Sequence, residues 1–197
     1  MSRTATIQRR TAETDVSLGL TLEGTGAGSR ETGVGFLDHM LDLLARHGRL
    51  DLEVKVTGDL QTGAHHTAED TAIVLGQALD RALGERAGIV RYGSATVPMD
   101  EARASCAIDI SGRPFTLFEA ELPPGATGGF EHELTEEFFR ALANSAKLTL
   151  HLRVEAGSNA HHMIEAAFKA FARALREAVA IDPGETGVPS TKGTLTA

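Results

Sequence analysis

Two stretches of this sequence, residues 37–83 and 135–179, resemble each other, and this repeat constrains the fold more than any other feature. The alternating apolar run at 50–56 is matched 98 positions later by the run at 148–154. A double histidine followed by a glutamate comes after each run, at an offset of 96 positions. A match of this length with a single two-residue slip indicates an internal duplication. The sequence therefore predicts two half-domains with the same order of elements.

The spacing of apolar residues predicts the elements of each half. Apolar residues at every second position are typical of half-buried strands, and such runs lie at 16–22, 50–56, 104–110 and 148–154. Ile164, Phe168, Phe171 and Leu175 share one face of a helix that should end before Pro183. Further helices are predicted at about 38–47, 67–83 and 133–146. These elements indicate an α+β protein with helices packed on mixed or antiparallel sheets.

The repeat also suggests where the halves begin and end. We expect a first α+β half-domain at 1–90 and its duplicate at 91–183. Residues 184–197 are rich in Gly, Pro, Ser and Thr and show no periodicity, so they are expected to form a C-terminal loop or arm.

Composition excludes several classes of protein. The 197 residues carry a formal net charge of −8 with one Tyr and no Trp, so a general nucleic-acid-binding surface is not expected. No apolar run reaches the roughly 18–20 residues of a membrane span, and residues 1–15 lack the apolar core of a secretory signal. The single cysteine, Cys106, cannot form an internal disulfide, which suits a reducing compartment. We therefore expect a cytoplasmic protein without nucleic-acid or membrane partners.

The duplicated histidines are the strongest indication of chemistry. Residues i and i+4 lie on one side of a helix, so His65 with Glu69 can offer an imidazole and a carboxylate to one ion, as can His161 with Glu165. The adjacent His66 and His162 point roughly 100° away and would serve a different ion or a different chain. One such pair near the start of a helix is more often a surface or core feature than a ligand pair, but two copies at equivalent places in a duplicated chain favour metal binding. Mixed nitrogen and oxygen ligands suit Mn, Fe or Zn, and the carboxylates favour Mn or Fe.

The remaining histidines carry weaker indications. His39 opens a predicted helix and is a possible ligand. His47 ends the same helix, where a cation is favoured by the helix dipole, and a structural role is expected. His151 is expected to be a hydrogen-bonded strand residue, and His132 is expected to be solvated.

Six strings along the chain together resemble the imidazoleglycerol-phosphate dehydratase family. They are GVGFLDHML (33–41), HHTAED (65–70), MDE (99–101), DISGRP (109–114), HHMIE (161–165) and PSTKG (189–193). The resemblance implies a ribosomal-S5-domain-2-like fold and dehydration of imidazole glycerol phosphate to imidazole acetol phosphate in histidine biosynthesis. It also implies a 24-subunit shell with two Mn²⁺ ions per active site at subunit interfaces.

The resemblance assigns metal ligands position by position. Seven match the family: His39, His65, His66, Glu69, His161, His162 and Glu165. The eighth family ligand is a histidine, but this chain has Glu137 there, and Glu137 is 98 positions after His39, as the duplication requires. His132 can replace it only if the start of the helix is remodelled. The family's acidic residues before the first double histidine are replaced by Gly63 and Ala64, so a carboxylate that orients an imidazole is expected to be missing.

The resemblance also assigns catalytic and phosphate-binding residues. Glu13 would be the acid/base group that moves the side-chain proton, and Asp100 would hold the ring or assist proton transfer. The substrate phosphate would be bound by Arg91, Arg113, Lys169, Ser190 and Lys192, the last two in the tail. The alternative is a shell protein in which the histidine pairs are metal staples without turnover. A staple would not require Glu13, Arg91 or Lys192. A four-helix dimetal oxidase is disfavoured by the alternating strands.

Overall fold

A computed structural model describes residues 3–195 of the chain, and its first half is a four-stranded sheet with two helices. The strands are β1 (Thr4–Arg10), β2 (Thr14–Thr21), β3 (Arg30–Glu31) and β4 (Asp51–Gly58). The helices are α1 (Gly35–Gly48) and α2 (His65–Leu83), and a short 3₁₀ turn at Leu60–Thr62 precedes α2. The strand order is β1-β2-β4-β3. β3 is parallel to β4, and the other neighbours are antiparallel.

The second half repeats this arrangement. Its sheet contains β5 (Tyr92–Met99), β6 (Ala102–Asp109), β7 (Phe115–Glu119) and β10 (Thr149–Ala156), and its helices are α3 (Leu134–Ala146) and α4 (Ala160–Ala178). The strand order β5-β6-β10-β7, with β7 parallel to β10, is that of the first sheet. Only the second half has an inserted hairpin, β8 (Ala126–Thr127) and β9 (Phe130–Glu131), within residues 3–195. The predicted α+β fold with duplicated half-domains is confirmed.

The four strands with strong apolar alternation, β2, β4, β6 and β10, lie where the sequence predicts them, whereas the other six strands were not predicted. In β2 the inward side chains Val16, Leu18 and Leu20 are buried and the intervening residues are less so. β1 and β5 show weak apolar alternation because few of their inward residues are large, and β7 shows it because its exposed residues Phe115 and Leu117 are also apolar. In β5 this is a packing requirement, since a Cβ on Gly93 would overlap the carbonyl oxygen of Ala174 in α4. The small residues at 93–95 of this strand therefore let α4 lie close.

The helices exchange partners between the halves. α2 packs on β1 and β2, and α4 packs on β5 and β6. However, α1 of the first half packs against α4, and α3 of the second half packs against α2. One continuous core of buried side chains therefore runs through both halves. This exchange places residues of α1 beside residues of α4, although they are far apart in sequence.

The helices begin and end within three residues of the predicted bounds, and α4 ends before Pro183. Residues 184–195 contain no helix or strand, and the last two residues of the predicted tail lie outside the described residues, as do residues 1 and 2 of the predicted first half-domain. The boundaries at 90 and 183 remain predictions. Among residues 3–195, no helix has the length and apolarity to cross a membrane.

Candidate active site

Two imidazoles and one carboxylate meet where α1 packs against α4. Nε2 of His39 in α1 and Nε2 of His161 in α4 each lie 2.9 Å from the same oxygen, Oε1 of Glu165. His161 is placed in the first turn of α4, whose N-cap Asn159 accepts a hydrogen bond from the His161 backbone N–H. The candidate ligand atoms all lie within 4.8 Å of one another. The exchange of helix partners thus joins a histidine of the first half to the histidine–glutamate pair of the second.

Glu165 is ionised at the centre of this cluster. Burial by itself would raise the pKa of its carboxyl, but hydrogen bonds from Lys169, His39 and His161 outweigh it and lower the pKa to about 2. Lys169 Nζ donates to Glu165 Oε2 at 2.5 Å. The imidazoles are about two-fifths exposed, so they are accessible to a ligand. Two imidazoles with one ionised carboxylate form a donor set that fits Mn²⁺, Fe²⁺ or Zn²⁺.

The equivalent set in the first half is less closely assembled. His65 Nε2 lies 3.6 Å from Glu69 Oε2 on α2. Glu137 is half-buried in the first turn of α3, the helix that packs on α2. Among residues 3–195, however, the cluster around Glu165 is the only group of three or more such side chains within ligating distance. The structure therefore does not bring Glu137 into one group with His65 and Glu69, and its role as a ligand stays a prediction.

The second histidine of each pair is held by a carboxylate through Nδ1. Nδ1 of His66 lies 3.0 Å from Asp59 Oδ2, and Nδ1 of His162 lies 2.8 Å from Glu101 Oε2. These hydrogen bonds raise the pKa of both imidazoles. Each ring leaves Nε2 available on its other side. A carboxylate that fixes one ring nitrogen sets the tautomer and orientation of the other.

Glu101 has a second role at the start of α4. Its Oε1 accepts hydrogen bonds from the backbone N–H groups of Ser158 and Asn159, at 3.2 and 2.9 Å. Together with the hydrogen bond to His162, which contributes most, these contacts lower the pKa of Glu101 to about 2. One carboxylate thus holds both the histidine and the loop that leads into its helix.

Neither Asp59 nor Glu101 was assigned a role from the sequence. The expectation that no carboxylate would orient a histidine of the first pair was wrong, because Asp59 reaches back across the turn that precedes α2. Glu101 lies in the MDE string, in which the resemblance assigns a role to the neighbouring Asp100 and not to Glu101. Asp100 is largely exposed and lies 3.9 Å from His162 Nε2.

The two hairpin turns bring carboxylates to equivalent histidines. Glu13, in the turn between β1 and β2, lies 3.6 Å from His66 Nε2 and is half-exposed. Asp100 occupies the matching turn between β5 and β6. The first turn is fixed by Asp70 of α2, which accepts a hydrogen bond from Thr14 and forms an ion pair with Arg9 Nη1 at 2.6 Å. The duplication therefore extends to the carboxylate near Nε2 of the second histidine in each pair, Glu13 for His66 and Asp100 for His162.

The predicted phosphate-binding residues form two groups. Arg91 is bound to Asp109 through Nε and Nη2, at 2.7 and 3.1 Å, and its Nη1 donates to the carbonyl of Pro189 at 2.7 Å. This contact places Ser190 and the exposed Lys192 near Arg91. Arg113 is exposed, and it follows Gly112, where a Cβ would meet the tail at Leu195. Lys169 is not in this group, since it contacts Glu165 and Met99.

His132 is not solvated, and that expectation was wrong. It is buried, with Nδ1 2.7 Å from the carbonyl oxygen of Pro123 and Nε2 2.9 Å from Thr127 Oγ1. It fixes the segment around the β8–β9 hairpin, which the sequence analysis did not predict. Because both ring nitrogens are engaged, His132 is not available to replace a ligand at Glu137.

Fold and site together define a class of protein: a duplicated α+β chain in which the helices of the two halves pack together and bring a histidine of the first half beside a histidine and a glutamate of the second. A family model of imidazoleglycerol-phosphate dehydratase matches residues 32–175. The chain belongs to this family and is an enzyme of it, which confirms the interpretation of the six strings.

Relatives and solved structures agree over nearly the whole chain. The chain is 55% identical to an imidazoleglycerol-phosphate dehydratase of Moorella thermoacetica over 195 residues, which cover 99% of this chain and 100% of the relative. It is 57% identical to that of Symbiobacterium thermophilum, covering 98% and 93%. The crystal structure of the Staphylococcus aureus enzyme matches with a TM-score of 0.83 at 41% identity, covering 91% and 99%. The IGPD of Pyrococcus furiosus, in complex with (S)-C348, matches with a TM-score of 0.83 at 36% identity, covering 96% and 100%.

Proposed function

We propose that this enzyme dehydrates imidazole glycerol phosphate to imidazole acetol phosphate in histidine biosynthesis, in the cytoplasm, and that it depends on manganese. The observation that carries the proposal is the meeting of His39, His161 and Glu165 at one point, from two halves of the chain. The names of the relatives support the substrate and the dehydration. Because the chain belongs to an enzyme family, the alternative of a metal staple without turnover is set aside.

Two ion sites per active site are part of the proposal. One would be held by His39, His161 and Glu165, and the other by His65, Glu69 and Glu137. When bound, manganese would supply Lewis-acid polarisation to the substrate. Among residues 3–195, the Nε2 atoms of His66 and His162 are not part of the cluster around Glu165, and Asp59 and Glu101 hold the two rings through Nδ1. We therefore propose that they complete sites of neighbouring subunits in a 24-subunit shell.

Glu13 is proposed as the acid/base group. The reaction removes a proton from carbon, so the group that moves it must be within reach of the substrate and positioned in advance. Glu13 meets the first condition by being half-exposed beside His66. The Thr14–Asp70 contact meets the second by fixing the turn. Asp100, at the equivalent turn, is proposed to hold the imidazole ring of the substrate or to assist the proton transfer.

The substrate phosphate is proposed to bind Arg91, Arg113, Ser190 and Lys192, with Lys169 contributing from α4. Arg91 keeps N–H groups that its contacts with Asp109 and Pro189 do not use, because a guanidinium has five donors. Lys192 is exposed on the tail and can approach an anion as a point charge.

The proposal is tested with the purified full-length protein. The metal-free protein, prepared with a chelator, is incubated with imidazole glycerol phosphate, with or without added Mn²⁺. We expect formation of imidazole acetol phosphate only with the metal. Glu165→Gln is the matched variant, since it keeps the shape of the side chain and removes its charge, and it should lose most of the manganese-dependent rate. Equal rates with and without metal would contradict the metal dependence, and absence of turnover in both would contradict the assigned substrate.

A further inference from the structure

We propose that Arg86, together with Asp80, is a positioning residue that anchors the C-terminal tail so that Ser190 and Lys192 can bind the substrate phosphate. Neither Arg86 nor Asp80 belongs to the candidate active site described above. The proposal rests on the proposed function, because it takes the phosphate-binding role of the tail from there.

Arg86 is the anchor of the tail at Leu195. Its side chain is completely buried, with 0% exposure. It donates to the carbonyl oxygen of Leu195 and to that of Ala146, the latter at 3.3 Å, and to Asp80 Oδ1 at 2.5 Å. A buried guanidinium requires such partners, because an unpaired charge in the protein interior is costly. Arg86 therefore joins the ends of α2 and α3 to the tail.

The tail lies in a fitted slot at Leu195. Leu195 is 4% exposed, in contrast to the exposed residues 191–194 that precede it. Gly112 forms the floor of the slot, since a Cβ there would overlap the Leu195 carbonyl and would lie 2.9 Å from Arg86 Nη1. The carbonyl that Arg86 binds is thus held from two sides.

A second arginine holds the near end of the same segment. Arg91 Nη1 donates to the carbonyl of Pro189 at 2.7 Å, and Arg91 is itself fixed by Asp109. Residues 190–194 form an arch between the two anchors. Within the arch, the backbone N–H groups of Lys192 and Gly193 donate to Ser190 Oγ and O, at 3.2 and 2.9 Å.

Pinning both ends of the arch has a consequence for binding. A loop that is free at one end must lose conformational entropy when its side chains bind an anion. A loop fixed at both ends has lost much of that freedom beforehand, so more of the contact energy contributes to affinity. Arg86 contributes to phosphate binding in this way without touching the phosphate. Its loss should therefore raise KM and leave kcat nearly unchanged.

The test uses Arg86→Lys and Asp80→Asn in the full-length protein, with Arg30→Lys as the matched control. Arg30 is also a buried arginine that binds backbone carbonyls, those of Gly26 and Gly28, and a carboxylate, Asp42, but it is not bonded to the tail. Two quantities are measured for each variant. One is the rate of trypsin cleavage after Lys192, followed by mass spectrometry without substrate, and the other is the pair of kcat and KM for imidazole glycerol phosphate.

We expect Arg86→Lys and Asp80→Asn each to raise the rate of cleavage after Lys192 and the KM by about tenfold. The reason is that each variant weakens a charged hydrogen bond in the group that anchors the tail at Leu195. Arg30→Lys should change neither quantity by more than about twofold, even if its thermal stability falls similarly. Once Lys192→Ala has been introduced, Arg86→Lys should raise KM by less than it does alone, since part of its effect acts through Lys192 and only the part through Ser190 remains.

The outcomes separate the anchor from the proposed function. Cleavage and KM unchanged in a folded Arg86→Lys or Asp80→Asn variant overturn the proposal. Independent, additive effects of Arg86→Lys and Lys192→Ala on KM overturn it as well, since they indicate a merely structural arginine. If the wild-type protein does not turn over imidazole glycerol phosphate, the proposed function fails, and the role of Arg86 in phosphate binding fails with it. Trypsin cleavage still decides whether Arg86 anchors the tail. If Arg86→Lys does not fold, Asp80→Asn decides.

Discussion

Replacing Gly76 with alanine should destabilise the protein at the contact between α2 and α3. Gly76 lies on the face of α2 that touches α3, and an added Cβ would be 2.5 Å from the carbonyl oxygen of Leu142 and 2.6 Å from Ser145 Cβ. Ordinary contacts begin near 3.4 Å, so α3 would have to move away by about 0.9 Å, the difference between 3.4 and 2.5 Å. The atoms in the way include backbone, which cannot turn aside as a flexible side chain can.

The magnitude follows from two opposing effects. Alanine is favoured over glycine in a helix interior by about 1 kcal/mol. Overpacking costs about 1–3 kcal/mol, and the upper end applies here because the helices must separate and lose dispersion contacts along their length. The expected net loss is about 2 kcal/mol, which for a chain of this size lowers the melting temperature by about 4–8 °C.

The assay is thermal unfolding followed by circular dichroism at equal protein and metal concentrations, because association and ligands shift the melting temperature. Gly35→Ala is the matched control, since Gly35 is also helical but an added Cβ there meets nothing within 4 Å. We expect this control to melt within about 2 °C of the wild type. A Gly76→Ala protein that melts at or above the wild-type temperature would refute the reasoning, since it would show that the two helices tolerate the extra carbon.

Four further predictions concern the site. Glu13→Gln should keep the metal content and assembly of the protein but lose most of its turnover, because it can no longer accept the proton; near-normal rates would remove Glu13 from the acid/base role. Glu101→Gln should weaken binding of manganese by about 10–100-fold in a calorimetric titration, because the ring of His162 loses the carboxylate that orients it; unchanged affinity would contradict that role. Glu137→Ala should empty the weaker of two ion sites, and Glu137→His should bring the two affinities closer together; retention of both ions at unchanged affinity in Glu137→Ala would exclude Glu137 as a ligand. Removing metal with a chelator should shrink the particle in light scattering and manganese should restore it, whereas a particle of unchanged size would show that assembly does not need the metal.

The sequence by itself determined the duplication and the elements with strong periodicity. The four alternating strands and the four helices could be predicted because burial on one face is recorded in the spacing of apolar residues along the chain. The histidine–glutamate pairs could be predicted for the same reason, since both members lie on one turn of one helix. β1 and β5 could not be predicted, because an edge strand and a strand beneath a close helix carry few large apolar residues.

Only the tertiary structure decided how these parts meet. The apolar face of α1 shows that the helix is buried, but not that its partner is α4 of the other half. The packing of α1 on α4 brings His39 to His161 and Glu165. The packing of α3 on α2 does not bring Glu137 into one close group with His65 and Glu69. It also decided the roles of Asp59 and Glu101, and it joined Arg86 to the tail. The physical reason is that spacing along a chain encodes which side of an element is buried, whereas the partner that covers it is selected by packing of the whole core.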